Sequence, residues 1–259
     1  MDRPDILIIM ADQMTYALTG AYGHPVVRTP ALDRLCAAGV RFDAAYTPCP
    51  LCTPARSALF SGRYVSRTRT YDNGSVLPAD VPTWAHHLRV VGYEVVAAGK
   101  LHFVGADQLH GLEARLTADI YPADFSWTPQ PEEDYQAPDD STHGKALVAL
   151  QAGPCDWSSQ LEYDEEVHRR ALEFLRSRGT GSRIDDRPFC LLVSYSHPHP
   201  PYLAPRRCWN MYEEAEVPIP ALTDIAASQR SAMGRWLHGG QGFGLADAAD
   251  HEMLRRLHR

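Results

Sequence analysis

The chain has 259 residues, 44% hydrophobic and 22% charged, which is enough to bury a substantial core in one large domain and too apolar for intrinsic disorder. Its net charge of -7 gives no basic footprint for nucleic acid, and the terminal arginines Arg255, Arg256 and Arg259 are few enough to line the outer face of a helix. The six cysteines are too sparse for a disulfide scaffold, and the apolar run at residues 6–11 is too short for a signal-peptide core or a membrane span, so a cytoplasmic protein with no membrane partner is expected.

Residues 5–11 read as a strand buried on both faces that delivers Asp12 and Gln13 to the carboxyl edge of a sheet. Thr29-Pro30 followed by ALDRLCAAG reads as a capped helix that stops at Gly39, and the alternation in VRFDAAYT predicts a strand over 40–47. A helix is predicted over 54–61 with Gly62 as its stop, and another around Trp84 and Leu88 before Gly92. EVVAAGKLHF is a buried strand ending in Gly99, Lys100 and His102.

Between about 105 and 160 the periodicity weakens into a Pro-, Asp- and Trp-rich insertion, a length of loop that ordinarily carries function. DEEVHRRALEFLRSRG then has acids in its first turn and arginines in its last, as the helix dipole favours, and leads into the strand RPFCLLVSYSHPHPPY. The alternation of strand and helix predicts an α/β sandwich with a mostly parallel central sheet flanked by helices.

Cys49 and Cys52 form a CxxC pair, and three readings compete for it. A structural zinc site wants four ligands, and no second CxxC exists in the chain. A redox dithiol fits a helix start but leaves Arg56 without a role. The third reading takes Cys52-Thr53-Pro54-Ala55-Arg56 as a unit at a positive helix N-terminus, with Arg56 reaching from the first turn towards the same anion site. Cys49 is then a buried neighbour.

In this third reading C-x-P-x-R followed by SALFSGRY resembles the signature of type I sulfatases of the alkaline phosphatase superfamily. ILIIMADQ resembles that family's metal-binding first strand, AGKLHF its G-K-x-H segment, and SYSHPHPPYLAP its later His strand. The stretches at 70–103 and 105–129 resemble the choline-sulfatase branch.

The resemblance implies an alkaline-phosphatase-like fold and a formylglycine-dependent hydrolase of choline O-sulfate, a small-molecule sulfate ester. Phosphonate or phosphate ester hydrolysis is the alternative within the superfamily. It implies that a formylglycine-generating enzyme converts Cys52 to 3-oxoalanine, and that Asp12, Gln13 and the modified Cys52 ligate a divalent cation, Ca2+ before Mg2+ or Mn2+. Arg56, Lys100, His102 and His199 join Cys52 as catalytic groups, with Asn73 on the sulfate and Tyr121, Trp127 and His143 lining the choline pocket.

The family's further metal ligands, an Asp followed by His or Asn, have no counterpart here. The chain is therefore expected to be the N-terminal portion, residues 1–259, of a catalytic domain whose C-terminal part is missing. The full-length form is expected to be a homo-oligomer, and inactivity of the fragment is the other alternative.

Overall fold

A buried parallel sheet explains the long apolar runs. In the computed structural model, which describes residues 3–124, 151–179, 186–212, 229 and 231, β1 (Ile6–Ala11), β2 (Glu94–Gly99), β3 (Ala114–Arg115) and β5 (Phe189–Tyr195) form one sheet in the order β1-β5-β2-β3. Every pairing in it is parallel. β4 (Gly153–Cys155) and β6 (Leu203–Pro205) make a separate parallel pair.

The chain divides into two units, one formed by residues 1–12, 42–130 and 159–197, the other by 13–41, 131–158 and 198–259. The four-stranded sheet lies in the first and the β4–β6 pair in the second.

Helices cover both faces of the first unit's sheet. On one face α2 (Cys52–Ser61) and α4 (Trp84–Val90) bring Phe60, Ala85, Trp84 and Leu88 against Val95 and Ala97 of β2 and Cys190 and Leu192 of β5. Phe60 packs between Trp84 and Phe103, with ring centroids 5.0 and 4.9 Å away. On the other face α5 (Ser159–Gly179) presents Val167 and Ala171 to the alternate residues Val96, Ala98, Leu191 and Val193. Period-two alternation of β2 and β5 thus splits one apolar run between two cores. Burial of each large side chain contributes roughly 1.5–3 kcal/mol.

β1 departs from the both-faces expectation. Ile6, Ile8 and Met10 join the α2–α4 core, but Leu7 and Ile9 are exposed, at 47% and 62%. β1 pairs only with β5 among the described residues, and the cluster beneath α5 draws its strand residues from β2, β3 and β5, with none from β1. The strand predicted over 40–47 is also absent: Val40, Phe42 and Tyr46 are exposed, and these residues pair with no described strand.

Local chemistry sets the helix ends. α2 begins two residues earlier than predicted, at Cys52, and stops where Gly62 turns left-handed at φ 65°. α4 starts in a capping box: the Thr83 side chain accepts from the His86 backbone N–H, and His86 Nδ1 accepts from the Thr83 N–H at 3.1 Å. In the second unit α1 (Pro30–Ala38) ends at Gly39 as expected, but the Thr29 hydroxyl donates to Asp33 Oδ1 at 2.9 Å and does not cap a backbone N–H. α3 (Val65–Thr68) is a single turn. Among the described residues no helix is long and apolar enough to cross a membrane.

Candidate active site

β1, β5 and β2 end side by side, and their carboxyl ends are where an open α/β sheet with helices on both faces gathers chemistry. β1 is followed by Asp12, β2 by Lys100 and His102, and β5 by Ser196 and His197. α2 starts at the same edge.

Close passage of β2 beside β5 requires Gly99. It sits at φ 103°, and a Cβ there would lie 1.9 Å from the Ser194 carbonyl oxygen. That approach lets Lys100 N–H donate to Ser194 O at 2.9 Å and directs the lysine inward.

Lys100 is fully buried and its ammonium is ion-paired with Asp12. It also lies 3.9 Å from Cys52 Sγ and 4.4 Å from the centroid of the Tyr121 ring. A buried charge of this kind persists only with partners. Arg56 supplies the second cation: 5% exposed, it donates to the Lys100 carbonyl and, at 3.1 Å, to Ser194 Oγ, with Nη2 3.9 Å from Asp12 Oδ1. Arg56 therefore ties together α2, β1, β2 and β5 within the core.

Cys52 is half-buried at the first position of α2, within 4.8 Å of an Asp12 carboxylate oxygen. Asn73 holds that helix end: its Oδ1 accepts from Thr53 N–H at 3.1 Å. The Thr53 hydroxyl lies 3.3 Å from Asn73 O and 3.2 Å from His102 O. The helix start, Asn73 and the His102 segment are thus one connected piece. Cys49 is half-exposed and not buried, because the segment before α2 lies on the surface, and the described cysteines are all free thiols.

His102 adopts left-handed backbone at φ 55° and stacks on Tyr121, centroids 4.8 Å apart and planes 25° apart. Burial, aided by the nearby Lys100 charge, lowers its pKa from 6.5 to about 4, against the opposing pull of Asp119 and Asp12. Burial likewise raises Tyr121 to about 12, helped by Cys52 and Asp12.

The folded state therefore keeps His102 neutral where the unfolded chain protonates it. Stability from this group is complete above pH ~6.5 and is lost as pH falls towards ~4, by about 3 kcal/mol in all. His110, 1% exposed and also lowered by burial, adds acid sensitivity in the same direction. Urea unfolding from pH 7.5 down to 4.5 should show the loss. His102→Asn, which tolerates left-handed backbone, should flatten it in part. An unchanged slope would remove His102 from the account.

The first unit thus brings together Asp12, Cys52, Arg56, Asn73, Lys100, His102 and Tyr121 from the sequence reading. Gln13 and His199 belong to the second unit. There Gln13 Nε2 lies 3.3 Å from the Tyr202 hydroxyl, and His199 Nδ1 lies 2.9 Å from Pro200 O. Trp127 and His143 lie outside the described residues. The same is true of most of the 105–160 insertion after Asp124.

Sequence reasoning passed over Ser194, which binds Arg56, and Asp119, which binds the backbone of Leu101 and His102 at 2.9 and 2.8 Å. Nor did it single out His197. The ring is fixed by Asp164, whose carboxylate lies 2.7 Å from His197 Nδ1, while the His197 carbonyl accepts from Asp12 N–H. Nothing local in the sequence distinguishes these residues.

The Asp12 carboxylate at a strand end beside Cys52 is oxygen-donor chemistry that a hard divalent cation accepts, and such a cation would share it with Lys100 and Arg56. Cys52 at a helix start, a buried lysine and that carboxylate make an arrangement on an α/β sandwich that is suited to holding an anion.

The chain belongs to the Sulfatase family, whose model matches residues 4–232. Over 236 residues it is 42% identical to the choline-sulfatase of Rhizobium meliloti (strain 1021), a match covering 88% of this chain and 44% of that protein. The phosphonate monoester hydrolase of Agrobacterium radiobacter, at 26% identity, superposes with a TM-score of 0.60 over 86% of this chain and 46% of its own. A structure in complex with its substrate D-glucosamine-2-N,6-O-disulfate, at 17% identity, shares the fold with a TM-score of 0.62 over 99% of this chain and 57% of its own. The chain spans about half the length of these relatives.

Proposed function

We propose that the chain is the nucleophile-bearing portion of a hydrolase that cleaves choline O-sulfate to choline and sulfate. The observation that carries the reading is Cys52 at the first residue of α2, 3.9 Å from the Lys100 ammonium and within 4.8 Å of the Asp12 carboxylate. The likeness to the Rhizobium meliloti choline-sulfatase supports the substrate.

Oxidised to formylglycine and hydrated, position 52 supplies one hydroxyl to attack sulfur and a second to expel sulfate from the enzyme. Asp12 and position 52 would hold a divalent cation, calcium before magnesium or manganese, which when bound draws charge from the sulfate oxygens. Lys100 donates to the same oxygens from a site where burial strengthens its field. Asn73, with Oδ1 held by Thr53 N–H, has its amide donors to offer the sulfate. His102 or His199 would give the departing alcohol its proton. Tyr121 already has the Lys100 ammonium over its ring, the kind of contact a quaternary ammonium would make, and the family resemblance assigns Trp127 and His143 to the same role.

A second reading, phosphonate monoester hydrolysis, draws support from the Agrobacterium radiobacter enzyme. Co-expression with a formylglycine-generating enzyme, intact-mass measurement and matched assays separate the readings. The expected result is a loss of about 18 Da, the change from thiol to aldehyde, together with faster turnover of choline O-sulfate than of a phosphonate monoester. The reverse preference overturns the choline reading, and absence of turnover in modified protein assigns the chain as an inactive fragment.

A further inference from the structure

β3 is only two residues long, yet the chain after it continues to serve the end of β2. Leu116 N–H still donates to Ala97 O at 2.8 Å, as a parallel ladder requires. Side chains then replace the backbone as acceptors: Thr117 Oγ1 takes Gly99 N–H at 2.8 Å, and Asp119 Oδ2 takes Leu101 N–H at 2.9 Å and His102 N–H at 2.8 Å. The chain bends at residues 116 and 117, and the side chains of residues 117 and 119 between them accept the N–H groups of Gly99, Leu101 and His102.

Asp119 is itself held in place. Its side chain is 6% exposed, and Oδ2 also accepts from Arg115 Nη2 at 2.8 Å. Arg115 Nη1 reaches Gln108 Oε1 at 2.9 Å, and Gln108 Nε2 binds Phe103 O and Gly105 O, each at 2.9 Å. The chain from Asp119 through Arg115 to Gln108 brackets residues 101–105 on both sides. Left-handed backbone at a histidine is unfavourable without such support, and φ at His102 is 55°. Asp119 Oδ1 lies 3.4 Å from Tyr121 N–H, in the turn that lays the Tyr121 ring on His102.

We infer that Asp119 is a positioning residue of the active site: its carboxylate fixes the left-handed backbone at His102 and the turn of Tyr121, and so sets the imidazole against the reacting group. It touches neither Cys52 nor substrate and acts through the groups it orients. The catalytic consequence rests on the sulfatase reading above, whereas the positioning does not.

The test compares Asp119→Ala, which removes the acceptor, with Asp119→Asn, which keeps a neutral one. In the alanine variant, amide exchange at Leu101 and His102 should rise at least about tenfold, while protection in β5 stays as in the parent. The upfield, ring-current-shifted resonances that stacking on Tyr121 gives His102 should be lost. On choline O-sulfate kcat should fall about 10²-fold with KM little changed, the cost of roughly 1 Å of misplacement. The asparagine variant should fall between parent and alanine in each measurement.

Parent-like exchange and ring resonances in Asp119→Ala would overturn the assignment, as would equal losses in the two variants that extend to β5. Should the alanine chain not fold, the asparagine variant decides, since a selective rise at Leu101 and His102 supports the role and no change refutes it. A parent chain without turnover makes it an inactive fragment, which removes the kinetic readout, and the exchange and resonance measurements then decide the positioning by themselves.

Discussion

Replacing Cys52 with alanine is expected to lower turnover of choline O-sulfate at least about 10³-fold while moving the urea midpoint hardly at all. The two halves of that expectation come from different facts. Cys52 stands at the first turn of α2, half-buried, and the polar contact of its sulfur is the Lys100 ammonium 3.9 Å away, so truncation removes little packing. Alanine is also the best helix former, which offsets part of the lost contact. Loss of the oxidisable side chain, in contrast, removes both hydroxyls that formylglycine would provide. Initial rates and urea unfolding on the same preparations check the pair of outcomes. Activity within tenfold of the parent would place the nucleophile elsewhere, and a large fall in midpoint would assign Cys52 a structural role instead.

The contrast between position 52 and its surroundings shows how much of the centre was legible in the chain. β1, β2 and β5 announce themselves as apolar runs ending in polar residues, because a central parallel strand has no wet face to encode. For that reason the same signal cannot report how many faces are covered, and β1 was read as buried on both although Leu7 and Ile9 are exposed. The alternation of residues 40–47 is a local pattern that becomes a strand only when it pairs, and these residues pair with no described strand. Cys52, Lys100 and His102 could be named because motif spacing carries them. Asp119 could not, since one acid among Asp107, Glu113 and Asp124 is marked only by the register of β3 against β2.

Arg56 belongs to both categories, and its replacement carries the largest expected effect on stability. The motif names it, but its bonding partners lie 44 and 138 residues away, at the Lys100 carbonyl and Ser194 Oγ. Arg56→Ala would leave both acceptors without that donor, Asp12 with Lys100 as its remaining cation, and a void in a side-chain site only 5% exposed. Removing one member of a buried charge network costs on the order of 3–5 kcal/mol, a large part of the roughly 5–15 kcal/mol that holds a domain folded. The urea midpoint should therefore fall steeply, and protection of the Lys100 amide should fall with it. Arg56→Lys should recover a minor part, since an ammonium cannot span Ser194, the Lys100 carbonyl and Asp12 as a planar guanidinium does. A loss below about 1 kcal/mol in the alanine variant would show that water replaces the guanidinium and that the four elements meeting at Arg56 are held by the apolar core alone.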